Sequence, residues 1–111
     1  MATPSVGSIV LLPFPFSDLS RSKIRPAAIL ASAGRGDWIL CQITSKAYAG
    51  PHAVQVTDSD FESGGLRLVS YARPTKLFTA NGEIFLSRAG QLNTQKISKI
   101  LQGVVSLFVI P

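Results

Sequence analysis

One cysteine, one histidine and six acidic residues are spread over the 111 residues of this chain, and each scarcity removes a class of chemistry. A lone Cys41 forms no internal disulfide, and its place in the apolar run Trp38-Ile39-Leu40-Cys41 marks it as a small buried hydrophobe. A reducing cytoplasm is the expected setting. His52, behind Pro51, has no second histidine to work with, so a two-histidine ribonuclease mechanism is excluded. One Cys with one His makes no zinc set, and the scattered acids do not offer the paired carboxylates that hold catalytic magnesium. No metal and no cofactor are expected. Gly64-Gly65 is a turn signal rather than a phosphate-binding loop, since no lysine motif or helix accompanies it.

Long apolar runs are missing too. None approaches the about 20 residues needed to cross a bilayer, and Met1-Ala2-Thr3-Pro4 is not a basic segment leading into an apolar one, so neither export nor membrane insertion is expected. Repeats, low-complexity tracts and linker-like stretches are also absent, which predicts a single domain over residues 1–111 with its ordered core at about 5–110.

What the chain does have is apolar weight and positive charge. Hydrophobic residues make up 46% and charged residues 15%, more apolar than a small domain can comfortably cover with polar surface, which points to a homodimer. The formal charge of +5 favours polyanions, with nucleic acid leading. Asp58, Asp60 and Glu62 share one loop, whereas Arg67, Arg73, Lys76, Arg88, Lys96 and Lys99 are interrupted by Glu83 alone.

The pattern of elements is mostly β. Ser8–Leu12 reads as a buried strand stopped by Pro13 and Pro15. Pro26–Ser32 and Trp38–Thr44 read as an antiparallel pair across a turn at Ala33–Asp37. Shorter strands are expected near Ala53–Val56, Leu68–Arg73, Lys76–Thr79 and Glu83–Arg88, around Pro74 and an Asn81-Gly82 turn. Many short strands at this spacing suggest a small barrel. After Asn93, an N-cap residue, the positions Ile97, Ile100, Leu101, Val104, Val105 and Phe108 form the apolar stripe of a C-terminal helix that docks on it. Gly103 inside that helix costs about 1 kcal/mol against alanine, so packing must hold it.

Arg25-Pro26 and Ile43-Thr44-Ser45-Lys46 place an arginine and a hydroxyl at the ends of adjacent apolar runs. Proline keeps its predecessor extended, so Arg25 belongs at the start of a strand, where its guanidinium can fork onto a phosphate. That pairing suits RNA cleavage in which the 2′-hydroxyl attacks its neighbouring phosphate. The protein then supplies charge stabilisation (Arg25) and alignment or proton handling (Thr44). If Ile43 faces inward, alternation turns Thr44 toward a ligand and Ser45 inward. The bland alternative is an Arg25 ion pair with a loop acid such as Asp18, and a Thr44 that only fills a strand. Arg73 repeats the Arg-Pro grammar and offers a second phosphate contact. Lys46 and Lys76 suit backbone phosphates, and Phe14, Phe16 and Tyr48 are candidates for stacking bases.

Gly7-Ser8-Ile9-Val10, Arg25-Pro26, Ile43-Thr44-Ser45-Lys46 and Ser70-Tyr71-Ala72-Arg73-Pro74-Thr75-Lys76-Leu77, in this order and spacing, resemble the PemK/MazF toxins of type II toxin–antitoxin systems. The resemblance implies an SH3-like small barrel (CcdB/Kid/MazF-like) with a C-terminal α-helix. It also implies a homodimer and a metal-independent, sequence-specific endoribonuclease, an mRNA interferase leaving 2′,3′-cyclic phosphate and 5′-hydroxyl ends. The cognate antitoxin would block it by laying an acidic segment over the basic groove, and the pair would bind DNA together. It assigns catalysis to Arg25 and Thr44, and RNA contact to Phe16, Lys23, Ser45, Lys46, Arg73, Thr75 and Lys76. Two departures stand out. Pro13–Lys23 replaces the usual Gly-Ser-Glu-Gln segment, so a cleavage sequence does not carry over. Thr75 stands where an aspartate is common, which bears on the rate. The alternatives are a CcdB-like toxin that poisons a protein such as gyrase, and a weakly catalytic RNA-binding barrel.

Overall fold

The computed structural model describes residues 3–15, 22–47 and 50–109. Seven strands form one antiparallel sheet, curled into a half-barrel: β1 (Ser8–Pro15), β2 (Ser22–Gly34), β3 (Asp37–Thr44), β4 (Val54–Val56), β5 (Phe61–Gly64), β6 (Ser70–Asn81) and β7 (Ser87–Leu92). Their order across the sheet is β4-β6-β3-β2-β1-β7-β5. One helix, α1 (Thr94–Ser106), follows and packs on β6 and β4. This is the mostly-β, small-barrel architecture with a C-terminal helix that the pattern predicts. Among the described residues, no helix is long and apolar enough to cross a membrane.

The uninterrupted apolar runs of the central strands have a simple cause. Successive side chains point to opposite faces, and here both faces are covered. Ile9, Ala28, Leu30, Cys41 and Ile43 join Val56, Ala72, Leu92 and Ile100 in one core, beneath α1. The intervening Val10, Leu12, Ala27, Ile29 and Leu40 join Phe85 in a second core on the other face, with Phe14, Trp38, Phe78 and Ala80 packed against it. Burial pushes the Cys41 thiol up to about 12.

The β2–β3 turn lies where expected, with positive φ at Arg35 and Gly36, the backbone a tight right-twisted hairpin requires. Other boundaries differ. β1 does not stop at Pro13 but runs on to Pro15 against β2. β7 pairs β1 no further than Leu11, so Pro13 and Pro15 sit past its end, where a missing N–H leaves no ladder bond unmade. The strands expected at Leu68–Arg73 and Lys76–Thr79 are one segment, β6, which starts only at Ser70 and bulges at Pro74-Thr75-Lys76 because Cys41 pairs with Leu77 while its neighbour Gln42 pairs with Arg73. The acidic loop holds a 3-10 turn, Asp58–Asp60, and the edge strand β5. Gly82–Ile84 is a second 3-10 turn, capped by Asn81, ahead of β7.

Asn93 caps α1 as expected, its Oδ1 accepting from the Lys96 N–H at 2.8 Å. The helix stripe is only partly used. Ile100 is fully buried and Ile97, Leu101 and Val104 half-buried, but Val105 and Phe108 are each 71% exposed, and Phe108 lies past the end of the helix at Ser106. Gly103 has a clear packing role, since a Cβ there would sit 3.1 Å from Pro74 Cγ.

A basic cleft where two strands part

Two prolines open the candidate site. Leu11 accepts from the Leu86 N–H on the β7 side, so its partner Pro26 turns its backbone away from β1 toward β3. Proline has no N–H to give there, and the pairing of β2 with β3 ends at Ala27–Gln42. Beyond that point β3 follows β6, with Ile43 and Thr44 opposite Ala72 and Tyr71. On the β6 side, the bulge at Pro74 leaves Gln42 opposite Arg73. The two Arg-Pro junctions therefore flank one residue of β3, Gln42, from either side.

The resulting cleft measures about 570 Å³. Five cations line it (Arg25, Lys46, Arg67, Arg73 and Lys76), with the hydroxyls of Thr44, Ser45 and Ser70 and the Gln42 amide, and no carboxylate lines it among the described residues. Six of the predicted residues thus come together: Arg25, Thr44, Ser45, Lys46, Arg73 and Lys76. Lys23 and Thr75 are exposed and are not among the lining residues. Phe16 and Tyr48 lie outside the described residues, as does Asp18. Phe14 packs edge-on against Phe78, with ring centroids 4.9 Å apart, in the neighbouring groove.

Thr44 ends β3, and its Oγ1 accepts from the Lys46 N–H at 3.2 Å. That bond closes a short turn after the strand and leaves the hydroxyl hydrogen to donate. Ile43 is fully buried and Thr44 half-buried, as alternation predicts. Ser45 is exposed rather than turned inward, because strand geometry has ended. Ser70 is committed, donating to the Leu68 carbonyl at 2.9 Å. Arg73 Nη1 donates to Gln42 Oε1 at 3.5 Å, while its buried Nε meets no acceptor among the described residues.

Gln42 and Arg67 are the contributors that sequence reading misses. Nothing local singles out a glutamine in an apolar run, although one polar residue among Leu40, Cys41 and Ile43 is itself a signal. The remaining cations are dispersed. Arg88 donates to Gln91 Oε1 at 2.9 Å, in a cluster shared with Ser8. Lys96 reaches the Gln55 carbonyl at 2.9 Å and Asp60 at 3.5 Å. No three His, Cys, Asp or Glu side chains gather as a metal set among the described residues.

Several solved structures share this architecture. MazF from Deinococcus radiodurans is 18% identical with a TM-score of 0.75, over 96% of this chain and 97% of that one. An endoribonuclease in complex with its cognate antitoxin, from a mycobacterial species, is 17% identical with a TM-score of 0.72, over 100% of this chain and 98% of that one. The toxin MazF-mt6 of Mycobacterium tuberculosis is 17% identical with a TM-score of 0.69, covering 91% and 95%. At such identities the likeness is one of fold. No curated protein matches the sequence. The family model of the PemK-like, MazF-like toxins of type II toxin–antitoxin systems, however, matches residues 5–108, and the chain belongs to that family.

Proposed function

We propose that this toxin is a metal-independent endoribonuclease that cleaves single-stranded RNA in the cleft between β2, β3 and β6. The observation that carries the reading is the convergence of Arg25 and Arg73 on either side of Gln42, beside the Thr44 hydroxyl, in a cleft with five cations and, among the described residues, no carboxylate. Such a lining attracts phosphates and acidic segments alike.

The reaction asks little covalent chemistry of the protein. The 2′-oxygen attacks phosphorus, the bond to the 5′-oxygen breaks, one proton leaves the 2′-hydroxyl and another is delivered to the departing oxygen. Charge builds on the non-bridging oxygens of the phosphorane. Arg25, held extended by Pro26, and Arg73, held by Pro74 and Gln42, are placed to receive it from two strands. Thr44 accepts the Lys46 N–H on one of its two lone pairs and keeps its hydroxyl hydrogen to donate to a phosphate oxygen. Lys46, Arg67 and Lys76 serve flanking phosphates without reading sequence. Stabilisation here is supplied by guanidinium and hydroxyl donors, which is the basis for assigning a metal-free mechanism. The working partners are RNA, a second copy of the chain and an acidic antitoxin segment that competes for the same cations, in the cytoplasm.

The test is cleavage of a long single-stranded RNA in EDTA, with fragment ends mapped, for the wild type and for Arg25→Ala, Arg73→Ala and Thr44→Val. Discrete cuts with 5′-hydroxyl ends, falling by about 10²- to 10³-fold in Arg25→Ala, are expected. Absence of cuts across several RNAs, or an Arg25→Ala as active as the wild type, refutes the reading. The first result would leave a toxin that acts by binding.

A further inference from the structure

Gln42 and Lys76 line two spaces at once. One is the basic cleft; the other is a groove of about 460 Å³, walled by Leu12, Phe14, Phe78, Ala80 and Ile84. The groove exists because the sheet curls. Phe14 on β1 and Phe78 on β6 come from strands that are not neighbours in the sheet, yet their rings meet at 4.9 Å and 79°. Both rings are half-buried, so each keeps part of its surface for the groove. A cationic cleft thus adjoins an apolar, aromatic one, with a single uncharged polar side chain, Gln42, lining both.

That sequence of environments matches one nucleotide: a phosphate among the arginines, and its base in the groove against the rings. The glutamine has a fixed sense. Arginine only donates, so the atom facing Arg73 at 3.5 Å is Oε1, and Nε2 is left to donate elsewhere. We infer that the groove is a nucleobase pocket in which Gln42 donates to the base, selecting uracil or guanine, whose O4 or O6 is a keto oxygen, over cytosine or adenine, which carry an amino group at that position. Gln42 is a specificity-determining residue on this reading, and Lys76 holds the phosphate between the two spaces.

The inference rests on the reading of the cleft as an RNA site, and the experiment separates the two. A randomised single-stranded RNA pool is cut by wild type, Gln42→Glu and Gln42→Leu, and the sequences at the cut sites are read. In parallel, a 2′-O-methyl pool, which cannot be cleaved by 2′-hydroxyl attack, is captured on each protein and sequenced. Gln42→Glu keeps the shape and still accepts from Arg73, but presents an acceptor to the base. One position is expected to favour keto bases by about tenfold in the wild type, to lose that preference in Gln42→Leu and to turn toward amino bases in Gln42→Glu.

If the wild type cuts nothing, the ribonuclease reading falls, and the captured pool alone decides the pocket by the same criterion. Unchanged base preference in both variants overturns the inference, even if the overall rate drops, because Gln42 would then only position Arg73. So does a wild-type captured pool with no base preference. A third outcome overturns it as well: Phe78→Leu converting a dimer to a monomer in sedimentation while base preference is retained would assign the groove to a second copy. Matching thermal midpoints of the Gln42 variants and the wild type exclude misfolding as the cause.

Discussion

Replacing Gly103 by alanine sets two effects of similar size against each other, and the structure decides between them. Gly103 lies inside α1, where alanine is better than glycine by about 1 kcal/mol from backbone entropy. For a domain of this size that corresponds to a gain of roughly 4–8 °C in thermal midpoint. Against it stands the contact with β6, for the added Cβ would lie 3.1 Å from Pro74 Cγ and 3.7 Å from Pro74 Cβ. Pro74 cannot give way as a long side chain would. It is a ring, fully buried, at the bulge of β6 beside Arg73. Overpacking of this kind costs about 1–3 kcal/mol, so the net effect runs from no gain to a loss of about 2 kcal/mol. Whatever relaxation occurs is passed to the residue before the proline. Gly103→Ala is therefore expected to leave the thermal midpoint unchanged or lower it, while RNA cleavage falls several-fold. Gln102→Ala, an exposed change with no such contact, should do neither. A midpoint several degrees higher with full activity would refute the reasoning and show that α1 does not press on the bulge.

Other consequences follow from single contacts. Gly64 has φ +67°, and a Cβ there would meet the Ala89 carbonyl oxygen; Gly64→Ala should release β5 from β7 and lower the denaturation midpoint, with hydrogen exchange rising first at Phe61–Gly64. Asn93→Ala removes the cap on the Lys96 N–H and should cost about 1 kcal/mol in urea unfolding, without altering cut sites. The Cys41 thiol, raised from 9.0 to about 12 by burial, keeps its proton where the unfolded chain has lost it. Its contribution is complete below pH 9 and declines as pH rises toward 12, so the stability of the wild type relative to Cys41→Ala should fall over that window. The same burial should leave the native thiol unreactive to iodoacetamide at pH 8.5.

The parts of this fold that were readable in advance are those written in local chemistry. Arg35-Gly36 between two apolar runs made a hairpin, Asn93 made a cap, and Pro26 held Arg25 extended. Thr44 could be chosen over Ser45 by alternation for as long as the strand lasted, and the choice stopped being a matter of alternation one residue later, where β3 ends. What could not be read was register. The bulge that sets Gln42 opposite Arg73 depends on how β3 and β6 align over their whole length, and no residue near Gln42 announces it. Arg67 reaches the cleft because the chain after β5 folds back over β3, again a long-range matter. The exposed Val105 and Phe108 show the limit of periodicity, which gives a helix its face but neither its last residue, Ser106, nor how much of that face is covered.

The cleft is walled by residues 25–26, 42–46, 66–68, 70, 73 and 76, and no two of its arginines come from the same strand. A chain emerging from the ribosome carries no such cleft until Lys76 has left the exit tunnel and β6 has zipped onto β3, by which point much of the domain is already made. Half-made copies are thus blank, and the interval in which an inhibitor must capture the product begins only once synthesis is nearly complete. Pairing across β3 acts as the safety catch, and it lies inside the sheet, with a strand on either side, where it cannot be released without unfolding the molecule.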